Sequence, residues 1–222
     1  IVWQQLFNKL KKVENPIIEV NVRHTIREIL RENDLANIFD EYIIYGRDYS
    51  NFYKALQDWL RMIHSLAVDS NKVVILKLPF RSDLLQILQL CDIEGNRHPY
   101  TGIKAVTLIN TVKAPYPFTA QKRQVNDQSF PYESGLIFHE DDIFGLPQLS
   151  GSALKYLRDW AVFQGSHYLK RLKISASGGV DSITDINACL SMGASTVQIG
   201  TFALINGIDK YRSILRQKFI RY

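Results

Sequence analysis

Cysteine is scarce in this chain. Its two thiols among 222 residues, Cys91 and Cys189, stand alone inside apolar stretches with no Cys-x-x-Cys spacing. That excludes a disulfide scaffold and predicts buried, reduced thiols of a cytosolic protein. Long apolar runs are lacking too: none approaches the roughly 18 to 20 residues needed to cross a bilayer. Neither a Gly-x-x-x-x-Gly-Lys-Ser/Thr run nor a Gly-x-Gly-x-x-Gly occurs, so P-loop and Rossmann modes of nucleotide binding lack support. No low-complexity segment or linker interrupts the chain, and residues 1–222 are expected to form a single domain. Residues 1–5 hold no Met and no basic segment leading into an apolar one; they read as the middle of an element rather than as a signal peptide.

What is present is ordinary globular material, 46 % hydrophobic and 22 % charged. The 27 basic residues against 22 acidic ones leave a net charge of +5, which makes anionic partners such as phosphate esters plausible. The densest basic groups, Lys9/Lys11/Lys12 and Lys170/Arg171/Lys173, alternate with apolar residues as solvated element ends do. Nucleic-acid binding is therefore the weaker expectation. The aromatic series Phe39, Tyr42, Tyr45, Tyr49, Phe52, Tyr53 and Trp59 is partly helical in spacing and reads as core or subunit interface.

Helical and strand-like runs alternate. Residues 1–13 put Trp3, Leu6, Phe7 and Leu10 on one helical face, and Asn15-Pro16 ends that helix. Residues 17–22 read as a short strand. Residues 27–68 are helical in period, with a break near Tyr45-Gly46. Residues 73–78 are an unbroken apolar run closed by Pro79, the signature of a strand buried on both faces in a parallel sheet. A helix is expected over 82–91, with Asp83 near its start, and a strand over 104–109. Residues 111–150, rich in Pro, Gln, Asn, Tyr and Gly, form a stretch long enough to be an active-site loop or lid. Helices over 152–163, 182–192 and 207–219 and strands over 172–176 and 196–199 complete the chain. A helix followed by five strand–helix units predicts an α/β fold with a parallel sheet and right-handed crossovers.

The chemistry gathers at strand ends. Residues 174–181 run from a strand into Gly178-Gly179 and then a helix, and residues 196–201 repeat the pattern with Gly200-Thr201. Glycine after a strand lets backbone N–H groups approach an anion, and the helix start adds its dipole. Two such units in succession at the end of a parallel-strand protein match the phosphate site of (β/α)₈ barrels. Lys77 lies inside an apolar strand and must reach the strand mouth or an anion, because burying it unpaired costs several kcal/mol. Asn21 and the pair Asn110-Thr111 put polar groups at the ends of the strands before and after it. These residues are expected on one rim.

These residues resemble the flavin-dependent dihydroorotate dehydrogenases. The likeness is carried by Leu149-Ser150-Gly151-Ser152-Ala153-Leu154, similar to the family's Leu-Ser-Gly-x-x-Leu segment, by Ser177-Gly178-Gly179-Val180, and by the run from Gly193 to Thr201. Lys77-Leu78-Pro79 resembles the family's Val-Lys-Leu-Pro strand and Asn110-Thr111 its Asn-Thr or Asn-Ser pair. The match runs in order from about residue 17 to 215, with divergent stretches at 27–70 and 111–146. It implies a (β/α)₈ barrel holding FMN, of which this chain covers about strands 4–8. Backbone donors of Gly151, Gly178, Gly179, Gly200 and Thr201, with Ser150 and Ser177, would cradle the phosphate. Lys77 would stabilise the anionic reduced flavin, and Asn21, Asn110 and Thr111 would hold a planar pyrimidine. The implied reaction oxidises dihydroorotate to orotate in pyrimidine biosynthesis.

Two departures stand beside the likeness. Where the family follows its strand asparagine with a Cys or Ser base and then Pro-Asn, this chain has Asn21-Val22-Arg23-His24-Thr25-Ile26. Histidine serves as a general base near neutral pH, so His24 is the candidate catalytic base, with the 111–150 loop as another source. Five strand–helix units also fall short of eight. The chain is therefore expected to be a fragment, or to have its first strands supplied by a companion chain, or to be a homo-oligomer. Two other functions stay open: an FMN enzyme acting on a different pyrimidine or enone-like substrate, and a non-catalytic binding or regulatory homologue. No metal is expected; the contiguous His139-Glu140-Asp141-Asp142 reads as a solvated acidic face.

Overall fold

Helices and parallel strands alternate along the chain, as the periodicity predicts. The computed structural model describes residues 2–36, 43–95, 97–113, 136–137 and 148–216. The chain divides into two compact units, Ile1–Thr107 with Gln164–Ile174, and Leu108–Phe163 with Ser175–Tyr222.

The first unit contains α1 (Val2–Leu10), β1 (Ile17–Asn21), α2 (Arg23–Glu32), α3 (Ser50–Asp69), β2 (Val73–Leu78), α4 (Leu84–Gly95) and most of β3 (Gly102–Leu108). α3 buries Phe52, Leu56, Trp59, Leu60, Ile63, Leu66 and Ala67, the three- and four-residue spacing of one helical face. Tyr49, Phe52 and Trp59 are thus core residues, whereas Tyr45 is fully exposed; Phe39 and Tyr42 lie outside the described residues. Trp3 of α1 meets Trp59 edge-on at 5.7 Å. The break between α2 and α3 includes Gly46, whose φ of +77° needs glycine.

β1 pairs β2 in parallel, in register from Ile17 opposite Val73 to Asn21 opposite Lys77. On β2, Val74, Leu76 and Leu78 are wholly buried, but Val73, Ile75 and Lys77 are only half-buried. Burial on both faces therefore holds for one face alone. The other carries Lys77 and, from β1, Glu19, charges that burial away from water would penalise.

The second unit holds two-residue strands β4 (Val112–Lys113), β5 (Leu136–Ile137) and β6 (Gln148–Leu149), a 3₁₀ turn (Gly151–Leu154), most of α5 (Lys155–Tyr168), the end of β7 (Lys173–Ser177), α6 (Ile183–Ser191), β8 (Thr196–Gln198) and α7 (Thr201–Leu215). β4, β6 and β5 pair antiparallel in that order, so Val112-Lys113 and Gln148-Leu149, expected within one long loop, are paired strands. The rest of that loop, and His139 to Asp142, lie outside the described residues. Val180, Ile186 and Ile214 form a small core with Ile183, Val197, Ile199 and Phe202. α7 begins at Thr201, six residues before the expected start, and is broken at Gly207, where φ is +78° and ψ 169°.

β1, β2, β3, β7 and β8 make a five-stranded parallel sheet in that order. The order ends at β1 and β8, and closure into a barrel is not shown among the described residues. Among them, too, no helix is long and apolar enough to cross a membrane. Cys91 and Cys189 are buried and free, and burial pushes their thiols up to about 12 and about 11.

His64 of α3 makes the first unit sensitive to acid. It is 4 % exposed and packs on Gly102, where a Cβ would stand 2.4 Å from its ring. Its Nδ1 accepts the Ile103 N–H at 3.4 Å. Burial lowers its pKa from 6.5, as do the positive charges of Lys104, Arg97 and His98 beside it; Glu94 opposes them. The unfolded chain therefore takes up this proton first, and stability falls as pH drops below about 6.5. The melting temperature is expected to be lower at pH 5 than at pH 7, with a smaller difference in His64→Gln. An equal difference in both proteins would refute this.

Candidate functional site

The glycine-rich positions come together within the second unit. Gly151, Gly178 and Gly179 have φ of +65°, +107° and +65°, a region that L side chains rarely adopt. The Gly178-Gly179 turn that follows β7 lies against the 3₁₀ turn. A Cβ on Gly179 would sit 2.6 Å from the Gly151 carbonyl oxygen and 3.0 Å from the Lys155 nitrogen. A Cβ on Gly178 would meet Leu154 at 3.2 Å. Ser150 is buried, and its Oγ lies 3.0 Å from Thr201 Oγ1, joining the Leu149-Ser150-Gly151 segment to the start of α7. Ser177 closes β7, its carbonyl accepting the Ile109 N–H at 3.0 Å.

The two helix starts differ. At α6, Ser182 is the N-cap: its Oγ accepts the Asp185 N–H at 3.1 Å and donates to Asp185 Oδ2 at 2.7 Å, a reciprocal cap closed by an acid. Burial alone would raise the Asp185 carboxyl, but hydrogen bonds from Ser182, Asp181 and Lys155 hold it at about 2. This carboxylate caps the α6 start. α7 has Gly200 at its N-cap, and among the described residues no side chain caps it, so its first N–H groups and dipole are the better anion donors. Gly200 is not there for the backbone: its φ is −112°, and a Cβ would meet none of the described residues within 4 Å.

Asn110 and Thr111 also belong to the second unit, beyond the end of β3. Both are half-buried, and the Asn110 side-chain oxygen accepts the Thr111 N–H at 2.9 Å.

The other predicted residues lie in the first unit. Asn21 and Lys77 are register partners at the ends of β1 and β2. Asn21 is exposed, and its Oδ1 accepts the Arg23 N–H at 3.1 Å, starting α2. His24 follows as an exposed residue in the first turn of α2, rather than at a strand end. Lys77 Nζ is 3.8 Å from Glu19 Oε1, with both side chains about one-third exposed or less. Glu19 Oε2 in turn accepts from the buried Thr107 hydroxyl at 2.7 Å. Glu19 was available to sequence reasoning: it stands two residues before Asn21 on the same strand, hence on the same face. Among the described residues no cluster of three or more His, Cys, Asp or Glu could hold a metal.

No family model and no curated protein matches the sequence. Among solved structures, the fold is similar to that of the DHODH from Eimeria tenella, determined in complex with ferulenol. The TM-score is 0.58 at 15 % identity over 96 % of this chain. The chain spans 52 % of the length of that protein. At this identity the likeness establishes the fold, a dihydroorotate dehydrogenase-like α/β arrangement.

Proposed function

We propose that this chain works as a flavin oxidoreductase of the dihydroorotate dehydrogenase type, oxidising dihydroorotate to orotate with FMN held in a (β/α)₈ barrel. The observation that carries the proposal is Gly200. Neither its φ nor its packing among the described residues calls for glycine, yet a Cβ there would fill space that no described residue occupies, at a helix N-terminus that no described side chain caps. A phosphate in that space gives the glycine a reason, and the Ser150 and Thr201 hydroxyls fit the same ligand. Backbone donors of Gly151, Gly178, Gly179 and Thr201, with Ser177, complete its shell. When bound, FMN supplies the acceptor for the hydride leaving substrate C6.

The chain's own residues do the rest. Lys77 provides a fixed positive charge for the reduced cofactor. Asn21, Asn110 and Thr111 bind the edges of a planar pyrimidine. His24 takes the C5 proton. An exposed His24 on a helix favours a second reading, in which the substrate is another pyrimidine or an enone, because a base must come within hydrogen-bond reach of its proton.

A visible spectrum, with mass spectrometry of the cofactor released on denaturation, tests the proposal. FMN in the purified protein, bleached anaerobically by dihydroorotate, is the expected result. A protein that neither contains nor takes up FMN overturns it, and bleaching only by other reductants selects the second reading. Lys77→Ala is expected to keep FMN and to slow bleaching by roughly 10²- to 10³-fold, the usual cost of losing one preorganised charge partner. Bleaching at the unaltered rate would remove Lys77 from the site.

A further inference from the structure

The Gly178-Gly179 turn stands on a charge network centred on one buried guanidinium. Arg158, in the first turn of α5, is 1 % exposed. Its Nη1 donates to the Gly178 carbonyl oxygen at 2.9 Å. Its Nε and Nη2 reach Asp159 Oδ1 at 2.8 and 2.7 Å, and Nη2 lies 3.7 Å from Asp185 Oδ1. Asp185 also accepts from the Asp181 N–H at 3.2 Å and faces Lys155 Nζ at 3.2 Å. Lys155 Nζ donates to Asp181 at 2.9 Å. A buried guanidinium is costly, and an apolar residue of like volume is often no worse for stability; its presence under this turn asks for a reason.

Peptide geometry supplies one. In a planar trans peptide the C=O and N–H point in opposite directions. With the Gly178 carbonyl held by Arg158, the Gly179 N–H points away from the network. Two consecutive glycines also make this peptide easy to invert, because glycine occupies positive and negative φ about equally. Inverted, it would turn a carbonyl oxygen outward, where it repels an anion.

We infer that Arg158 is a positioning residue: it locks the Gly178-Gly179 peptide with its N–H presented to a phosphate monoester, and so sets affinity for the phosphate end of the ligand. This rests on the phosphate site proposed above.

The test titrates the apoprotein of the full chain, as wild type, Arg158→Met and Arg158→Lys, with FMN and with riboflavin, which lacks the phosphate. Wild type is expected to bind FMN at least tenfold more tightly than riboflavin. Arg158→Met is expected to lose tenfold or more of FMN affinity while riboflavin affinity stays within twofold, with Arg158→Lys between the two. If Arg158→Met does not fold, Arg158→Lys carries the comparison alone. A mere packing role would weaken both ligands equally, and that result, like unchanged FMN affinity, overturns the role given to Arg158. A wild type that does not prefer FMN to riboflavin overturns the phosphate site itself, and this inference with it.

Discussion

Gly179→Ala is expected to lower both the melting temperature and FMN affinity, the latter by about 100-fold, whereas Gly200→Ala should lower FMN affinity with only a small change in melting temperature. The contrast follows from the two backbones. At Gly179 a side chain must accept φ of +65°, a conformation that costs a non-glycine residue on the order of 1–3 kcal/mol. The new Cβ would also stand 2.6 Å from the Gly151 carbonyl and 3.0 Å from the Lys155 nitrogen, backbone atoms that cannot swing aside as a side chain can. Relief requires the Gly178-Gly179 turn to part from the 3₁₀ turn, and both carry donors of the proposed cradle. A displacement costing about 2.8 kcal/mol of binding is a factor of 100 in affinity. At Gly200 the same methyl group meets none of the described residues, and the penalty for alanine at a helix N-cap is about 1 kcal/mol or less. Any large loss of FMN there comes from occupying the ligand's space. Flavin fluorescence titration beside thermal melts separates the two; wild-type FMN affinity in the Gly200→Ala protein would remove phosphate from the start of α7.

Much of this fold was legible in the sequence because strands and helices are written in apolar period. β2 coincides with the unbroken run 73–78, and the Tyr45-Gly46 break falls between α2 and α3. Period fails where elements are two residues long: β4, β5 and β6 exist only through their partners, and nothing local announces them. It also misled at α7, where Gly207 reads as a helix start but is a break within a helix that begins six residues earlier. The site divides in the same way. Gly178 and Gly179 were legible because their φ values demand glycine. Gly200 was read from the same strand–glycine–helix pattern, but its φ of −112° does not demand glycine. Arg158 was not, since a guanidinium in a helix reads as solvated until the turn it supports is known. Asp83 was legible as the start of a helix but not as half of a buried ion pair.

That pair is where the largest loss of stability is expected. Arg81 and Asp83 side chains are 2 % and 0 % exposed, and they meet as a fork, Nε to Oδ1 at 2.7 Å and Nη2 to Oδ2 at 3.0 Å. The guanidinium also lies over the Phe52 ring, 5.3 Å from its centre. Tyr53 donates its hydroxyl to Asp83 Oδ2 at 3.0 Å, and burial first, then the Asp83 charge, raises the pKa of that phenol. Asp83→Ala removes the Asp83 carboxylate from a guanidinium that stays buried, a change that costs up to about 3–5 kcal/mol out of a total stability of roughly 5–15 kcal/mol. Tyr53→Phe removes one hydrogen bond to the same carboxylate and should cost about 1–2 kcal/mol. The double variant Arg81→Met/Asp83→Leu removes both charges and is expected to recover most of the loss, because an apolar pair of similar volume often equals a buried ion pair. Urea unfolding of the three proteins decides the matter: a double variant no more stable than Asp83→Ala would mean that the pair is needed for its geometry rather than tolerated for its charge. On the proposed function the consequence for the site is direct, since Arg81 and Asp83 stand in the segment that leaves β2 just beyond Lys77. If the pair sets the exit of that strand, Asp83→Ala will slow flavin bleaching by dihydroorotate at temperatures well below its own melting point, and the double variant will restore the rate along with the stability.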